Sequence, residues 1–350
     1  MFLNSLIVRL VVSKLILSLG YGGFLFYQPM IFSQPLVLNK ENVQALILEK
    51  QKNNQIFVIR GLPLSFDKLK LIPRLRQEAK FSLKLSAQSY AVIDENTEAL
   101  LAKQAENIPR SIGSLSKLMT ALVFLEGNPN WEKQIIIEKS DEREGKVCIL
   151  AGEKITIKNL FYASLVESCN TATIALARSG GLTLEEFAKK MNQKAINLGL
   201  KTSYFAEPTG LNSHNYSSAR EVAVLLKNAL KDEFISRAVL QKTYDMDVVN
   251  TLGSTVKRRL INTDELLSND FKNSNIRAVV GAKTGFIEEA GYCFAVMTEN
   301  KNTQRIVTVV LGAESHYRRF SEAKELAEWV YKSYLWPGQE GFEKLSQNIP

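Results

Sequence analysis

Residues 85–126 read LSAQSYAVIDENTEALLAKQAENIPRSIGSLSKLMTALVFLE. The first half predicts two strands, Tyr90 to Asp94 and Ala99 to Ala102, flanking the turn Glu95-Asn96-Thr97. The second half predicts an apolar helix, Leu115 to Leu125. At the head of that helix stands Ser114-Leu115-Ser116-Lys117, an S-x-x-K pattern. Residues three apart on a helix share a face, so Lys117 Nζ can reach the Ser114 hydroxyl. The helix amino terminus favours negative charge developing on that oxygen. A serine is a poor nucleophile until a base takes its proton. A lysine can be that base only where burial or nearby positive charge lowers its pKa. The run LMTALVFLE is the kind of setting that buries it. Alone the pattern says little, since it recurs at Ser65, Ser254 and Ser321 and reads equally as an N-capping serine and a solvated lysine.

Two further motifs lie downstream. Ser168-Cys169-Asn170, an S-x-N, falls between the helical stretches NLFYASLV and TATIALA, a corner that can project two polar side chains into a cleft. It recurs at Ser213 and Ser346, and a plain polar loop is the competing reading. Lys283-Thr284-Gly285 occurs once as K-[ST]-G and is expected to end an apolar strand, Ala278 to Ala282. A cation and a hydroxyl there can hold a carboxylate, and Gly285 leaves room for a ligand backbone. An ordinary hairpin with a glycine turn is the alternative. The three motifs appear in order, separated by 54 residues (114 to 168) and 115 residues (168 to 283).

The rest of the chain fits around them. Leu184 to Leu198 and Ala219 to Leu230 predict amphipathic helices, and Arg319 to Leu335 a closing helix. Arg277 to Thr284, Tyr292 to Thr298 and Arg305 to Leu311 predict late strands. Strands at both ends with helices between predict an α/β (α+β) architecture, a mixed sheet completed by distant segments with a helical insertion. The 350 residues, 45% hydrophobic and 23% charged, exclude a wholly disordered chain. The net charge of +8 allows an anionic partner without naming one. His214, His316, Cys148, Cys169 and Cys293 match no zinc spacing. A cystine bridge among the three cysteines is neither required nor excluded.

The amino terminus reads as a membrane signal. Residues 15–39 carry no Asp, Glu, Lys or Arg, and about 20 apolar residues span a bilayer. Arg9 and Lys14 precede the stretch, which places the remainder outside the cytoplasm. No Ala-x-Ala precedes Ala45, so an uncleaved anchor over 1–36 is the preferred reading. Residues 37–84 follow as a lead-in, with a strand candidate at Ile56 to Ile59 and a basic run, Lys68, Lys70, Arg74 and Arg76, that reads as a solvated face.

The ordered trio is the signature set of serine penicillin-binding proteins and class A β-lactamases. Three longer stretches narrow it: the 85–126 segment, PTGLNSHNYSSAREVAVLL and GAKTGFIEEAGYCFAV. With them the chain resembles the low-molecular-weight D-alanyl-D-alanine carboxypeptidases, the DacA/DacF-like serine peptidases of family S11. The resemblance runs over about 250 residues, assigned as a catalytic domain at 85–336 with a tail at 337–350. It implies a transpeptidase/β-lactamase-like fold, an antiparallel sheet packed by helices plus a helical subdomain. It also implies roles. Ser114 would be the nucleophile and Lys117 its base, with Ser168 and Asn170 completing the proton relay. Lys283 and Thr284 would face the substrate carboxylate. The N–H groups of Ser114 and Phe286 would form the oxyanion hole. Arg220 would add positive charge near that carboxylate, or else hold a helix start in a salt bridge. The implied partners are peptidoglycan stem peptides ending in D-Ala-D-Ala, β-lactams as covalent inhibitors, and the membrane through the N-terminal helix. No nucleic acid, metal or organic cofactor is implied.

The chain departs from the family pattern at three places. Ser-Cys-Asn-Thr stands where Ser-Gly-Asn-Asp is usual, Ile112-Gly113 replaces Pro-Ala, and Glu167 is charged. Cys169 is expected to be a small buried filler rather than an oxidisable thiol. Two competing functions remain at this level. One is a class A-like β-lactamase, for which Glu207 and Asn212 give an E-x-x-x-N one residue too long. The other is a non-catalytic anchored wall-binding module.

Overall fold

The computed structural model describes residues 45–47, 60–62, 71–145, 147–269 and 271–346. The chain divides into two units, 1–66 and 67–350. In the first, the strands Ala45–Ile47 and Arg60–Leu62 pair antiparallel. The anchor expected over 1–36 and the strand candidate at Ile56 to Ile59 lie outside the described residues. Among the described residues no helix is long and apolar enough to cross a membrane.

In the second unit, β1 (Ser89–Asp94) and β2 (Leu100–Gln104) open the chain. Four strands of a smaller sheet follow: β3 (Gln134–Ile136), β4 (Lys154–Thr156), β5 (Thr243–Val249) and β6 (Thr255–Ile261). Then come β7 (Ile276–Ile287), β8 (Gly291–Asn300) and β9 (Arg305–Ala313). The main sheet has the order β7-β8-β9-β1-β2 with every neighbour antiparallel. Distant segments therefore complete one sheet, as the pattern of elements predicts, but it is antiparallel throughout where that pattern suggested a mixed one. The smaller sheet, ordered β6-β5-β4-β3, had no counterpart in the sequence reading. β3 and β4 span three residues each, and in TVKRRLI Arg258 interrupts the face that carries Val256 and Leu260, although TYDMDVV does alternate, with Met246 and Val248 buried opposite Asp245 and Asp247.

Alternate residues of the central strands feed two cores, because successive side chains of a strand point to opposite faces. Ala91 and Ile93 of β1, with Val307, Val309 and Leu311 of β9, join the helical insertion. Tyr90, Val92, Ile306 and Val310 face the closing helix. That helix, α7 (His316–Ser333), is capped by Ser315 and lays Phe320, Ala323, Leu326, Ala327 and Val330 on the sheet.

The insertion carries α1 (Lys117–Leu125), α2 (Ile157–Val166), α3 (Asn170–Arg178), α4 (Leu184–Asn197), α5 (Ala219–Ala229) and α6 (Glu233–Val239). Helix α1 is apolar nearly all round and packs on α2, α3, α4 and α5 as the insertion's central helix. It starts later than the sequence implies: Gly113–Ser116 is a tight 3-10 turn, and α-helical geometry begins at Lys117.

Part of the lead-in belongs to this unit. Arg74–Leu75 pairs with Tyr334–Leu335, and Phe81 packs edge-on against Trp329. The join between β1 and α7 is polar. Glu322, fully buried, accepts from Ser86 N (2.7 Å), Ser86 Oγ (2.6 Å) and Ala87 N (3.0 Å). Removing the carboxylate orphans two backbone donors. Glu322→Ala should therefore lose about 3 kcal/mol of stability by urea unfolding, against a small change for an exposed control such as Glu185→Ala.

Candidate active site

The 3-10 turn lifts Ser114 to the insertion's edge and points the next turn of helix inward. Lys117 is fully buried. Its Nζ donates to Ser114 Oγ (2.6 Å), Asn170 Oδ1 (2.7 Å) and Thr209 O (2.8 Å). Three acceptors match its three possible donors. Desolvation pulls its pKa from 10.5 down to about 7, with Glu207 opposing. Near neutral pH a substantial fraction is thus the free amine that can take a proton from Ser114.

Ser168 and Asn170 lie at the α2–α3 corner. Ser168 adopts φ +60°, a left-handed conformation that costs a non-glycine residue. Its Oγ accepts from Lys283 Nζ at 2.9 Å. Asn170 bridges Lys117 through Oδ1 and the Glu144 carbonyl through Nδ2 (2.7 Å). Buried Glu167 ties the corner to β6 by accepting from Ile261 N (3.3 Å). Cys169 is paired with Cys148 in a disulfide, which replaces the expectation of a free buried filler.

Lys283-Thr284-Gly285 lies inside β7 and does not end it, because the strand runs on to Ile287 in register with β8. Strand β7 is the sheet's edge, and it packs on the Ser114 turn. Lys283 is buried, and its pKa falls well below 10.5 through desolvation and the nearby Lys117 and Arg319 charges. Thr284 Oγ1 shares a hydrogen bond with Thr263 Oγ1 at 2.6 Å. Gly285 is required by the protein itself. A β-carbon there would sit 2.3 Å from Ile112 O, so the side that was expected to admit ligand instead admits the Ser114 turn. That close approach sets the Phe286 nitrogen beside Gly113, 2.7 Å from where a β-carbon would stand.

Arg220 opens α5, its backbone nitrogen bonded to Glu106 O (3.0 Å). Lys117, Arg319 and Asp264 are charges that act on Lys283. Arg319 brings a guanidinium to the Gly285 end of this strand. It is buried, lies over the rings of Phe320 (4.6 Å) and Tyr292 (5.6 Å), and reaches Gly285 O at 3.4 Å. The sequence reading placed it in the closing helix without a role. Asp264, beside Thr263, was also missed; burial raises its pKa to about 7, against the Leu266 N–H bond and the charges of Arg319 and Lys283.

Glu207 does not stand free in the cleft. Its carboxylate accepts from Thr209 N (2.7 Å), Thr209 Oγ1 (2.8 Å) and the Gly210 nitrogen. It therefore shapes the loop that delivers the Thr209 carbonyl to Lys117, which argues against a water-activating β-lactamase glutamate.

The profile of the D-alanyl-D-alanine carboxypeptidases matches residues 76–315. The chain belongs to this family. It is 33% identical over 252 residues to a D-alanyl-D-alanine endopeptidase of Pseudomonas aeruginosa, covering 70% of this chain and 77% of the relative. It is 30% identical over 268 residues to the D-alanyl-D-alanine carboxypeptidase DacF of Bacillus subtilis, covering 74% and 66%. The crystal structure of the Streptomyces K15 DD-transpeptidase superposes with TM-score 0.66 at 26% identity, covering 72% of this chain and all of that one. Penicillin-binding protein D2 of Listeria monocytogenes, in its cefotaxime-bound form, gives TM-score 0.61 at 26% identity over the same share of this chain and all of its own. This family member is a serine-type D,D-carboxypeptidase and a penicillin-binding protein, with the antiparallel sheet and helical subdomain that the resemblance implied.

Gly210 explains the P-T-G-L stretch of this D,D-carboxypeptidase. It has φ +88°, and a β-carbon would stand 1.9 Å from Gly113 O. Gly210→Ala must push the 207–212 loop off the Ser114 turn. The second-order rate of penicillin acylation should fall by about a hundredfold or more, measured by stopped-flow with a fluorescent penicillin.

Proposed function

We propose that this D,D-carboxypeptidase removes the terminal D-Ala from peptidoglycan stem pentapeptides through an acyl enzyme on Ser114. The observation that carries the reading is the 2.6 Å contact between Ser114 Oγ and a fully buried Lys117 whose pKa is about 7. Neutral Lys117 takes the hydroxyl proton as Oγ attacks the carbonyl carbon of the penultimate D-Ala. The Ser114 and Phe286 N–H groups receive the developing oxyanion. As the C–N bond breaks, the proton passes to the leaving amine, with Ser168 and Asn170 lining the relay. Water then hydrolyses the acyl-serine. Lys283, Thr284 and Arg319 are suited to hold the terminal carboxylate, and the edge position of β7 allows the peptide to lie along it as an added strand.

The enzyme is read as tethered by residues 1–36, with its catalytic unit outside the cytoplasm. The uncharged stretch 15–39 behind Arg9 and Lys14 supports this. The Cys148–Cys169 disulfide supports it too, because such bonds persist in oxidising compartments. A second reading, cleavage of D-Ala-containing cross-bridges, is favoured by identities of 30% and 33% to proteins named endopeptidases. The same acyl-serine chemistry serves both.

Incubation with purified muropeptides distinguishes them. Release of free D-Ala from the pentapeptide supports the carboxypeptidase reading, and conversion of cross-linked dimers to monomers without it supports the second. Ser114→Ala should abolish both, and with them labelling by a fluorescent penicillin. Undiminished labelling of that variant would remove Ser114 from the mechanism. The acylation rate should rise with pH through about 7 and fall about tenfold per unit below that limb, because protonated Lys117 cannot accept the proton. Lys117→Arg should be inactive throughout the pH range, since guanidinium stays charged.

A further inference from the structure

The disulfide between Cys148 and Cys169 crosses the active-site corner, with Cα atoms 6.2 Å apart and both residues buried. Cys169 lies between Ser168 and Asn170. Residues 142–145, shortly before Cys148 in the chain, cover the corner. Arg143 N donates to Thr171 Oγ1 (3.3 Å), and Glu144 O accepts from Asn170 Nδ2. A β-carbon at Gly145 would lie 3.0 Å from that same amide nitrogen. On its other side Cys148 O accepts from Arg258 Nη1 (2.9 Å), and Arg258 of β6 is paired with buried Glu153. The Glu144 carbonyl matters because an amide has two faces. Holding Nδ2 on a carbonyl keeps Oδ1 turned to Lys117 Nζ, and a flipped amide would present donors to a donor. The covalent bond keeps the segment that supplies this carbonyl in place.

We propose that the Cys148–Cys169 bond is a positioning element of this active site, holding residues 142–145 onto Asn170 so that acylation of Ser114 depends on the bond being closed. The proposal rests on Ser114 being the acylated residue. A dithiol reductant opens the strap. Its thiolate attacks one sulfur to give a mixed disulfide, which its second thiol resolves. Two electrons and two protons end on the Cys148 and Cys169 thiols, and the reductant closes to its own disulfide.

The test measures the rate and final stoichiometry of labelling by a fluorescent penicillin in the full chain. The samples are the oxidised protein, the protein after dithiothreitol, and Cys148→Ser with and without dithiothreitol. Reduced wild type and Cys148→Ser should acylate on the order of tenfold more slowly, at unchanged final stoichiometry. Reoxidation should restore wild type, and Cys148→Ser should ignore the reductant. The pH limb should also move. Lys117 is faced by Glu207 from its loop and by Lys283 from β7, and an opened rim lets water reach Nζ. The limb should then shift upward, toward the ordinary lysine value. Equal rates in oxidised and reduced wild type overturn the proposal. So does a loss that appears only as fewer labelled molecules with an unmoved limb, since that reports unfolding. Absence of labelling in every sample refutes the Ser114 reading itself.

Discussion

Lys117 must be dry and yet within hydrogen-bond reach of Ser114, and those two demands organise the catalytic unit. Drying comes from α1, apolar nearly all round and enclosed by four helices. A buried amine without acceptors is costly, so the fold brings three: the Ser114 hydroxyl from its own turn, the Asn170 amide from the α2–α3 corner, and the Thr209 carbonyl from the 207–212 loop. Those segments lie far apart in sequence, and their convergence on one nitrogen fixes the insertion's geometry. The same desolvation that makes this arrangement demanding lowers the pKa to about 7, which suits the lysine to the proposed role of base. Structure and reactivity here have a single cause.

The sheet supplies the second half of the cleft because of where its apolar residues go. Alternate residues of β1, β8 and β9 are buried on both faces, so neither face can receive a ligand. An edge can. Strand β7 is an edge and carries Lys283 and Thr284 toward the insertion. Its contact with the Ser114 turn is close enough to demand glycine at 285. Two buried lysines, Lys117 and Lys283, then face each other across the join. Positive charge on one disfavours it on the other. Asp264 and Arg319 complete a cluster in which an anionic substrate can change the balance.

The sequence made the candidate site residues legible because the chemistry proposed for them needs particular residue types at short spacing. S-x-x-K is one helical turn, S-x-N a helix corner, and K-T-G part of an apolar strand. The main sheet was legible for the same local reason, in runs such as YAVID and RIVTVVLG. The smaller sheet was harder to read: two of its strands are three residues long, and in TVKRRLI Arg258 breaks the apolar face, so only TYDMDVV carries a clean alternation. Arg319 was hidden differently. Nothing local separates it from the neighbouring Arg318 in HYRRF, and only the packing of α7 across β7 puts the one guanidinium at Gly285 and leaves the other near Lys84 O. Arg220 drew attention through a motif, yet its burial and partners depend on α5's rotation, which no short pattern encodes. The disulfide was likewise open, since pairing depends on distance in space.

The S-C-N corner combines strain with reinforcement. Ser168 in a left-handed conformation costs about 1 kcal/mol or more relative to a relaxed residue. Such a conformation persists only where its surroundings over-determine it. Here they do so from both sides. Cys169 N is held by Ala163 O at 3.1 Å, the Ser164 and Thr173 hydroxyls bond at 2.8 Å, and Glu167 reaches β6. Closing the 21-residue separation with a disulfide adds roughly 3 kcal/mol by the chain-entropy argument, more than the strain it accompanies. A glycine at 169 would leave the corner to hydrogen bonds alone. Cysteine at this position exchanges that freedom for a covalent tie, and places it between the residue that meets Lys283 and the residue that meets Lys117.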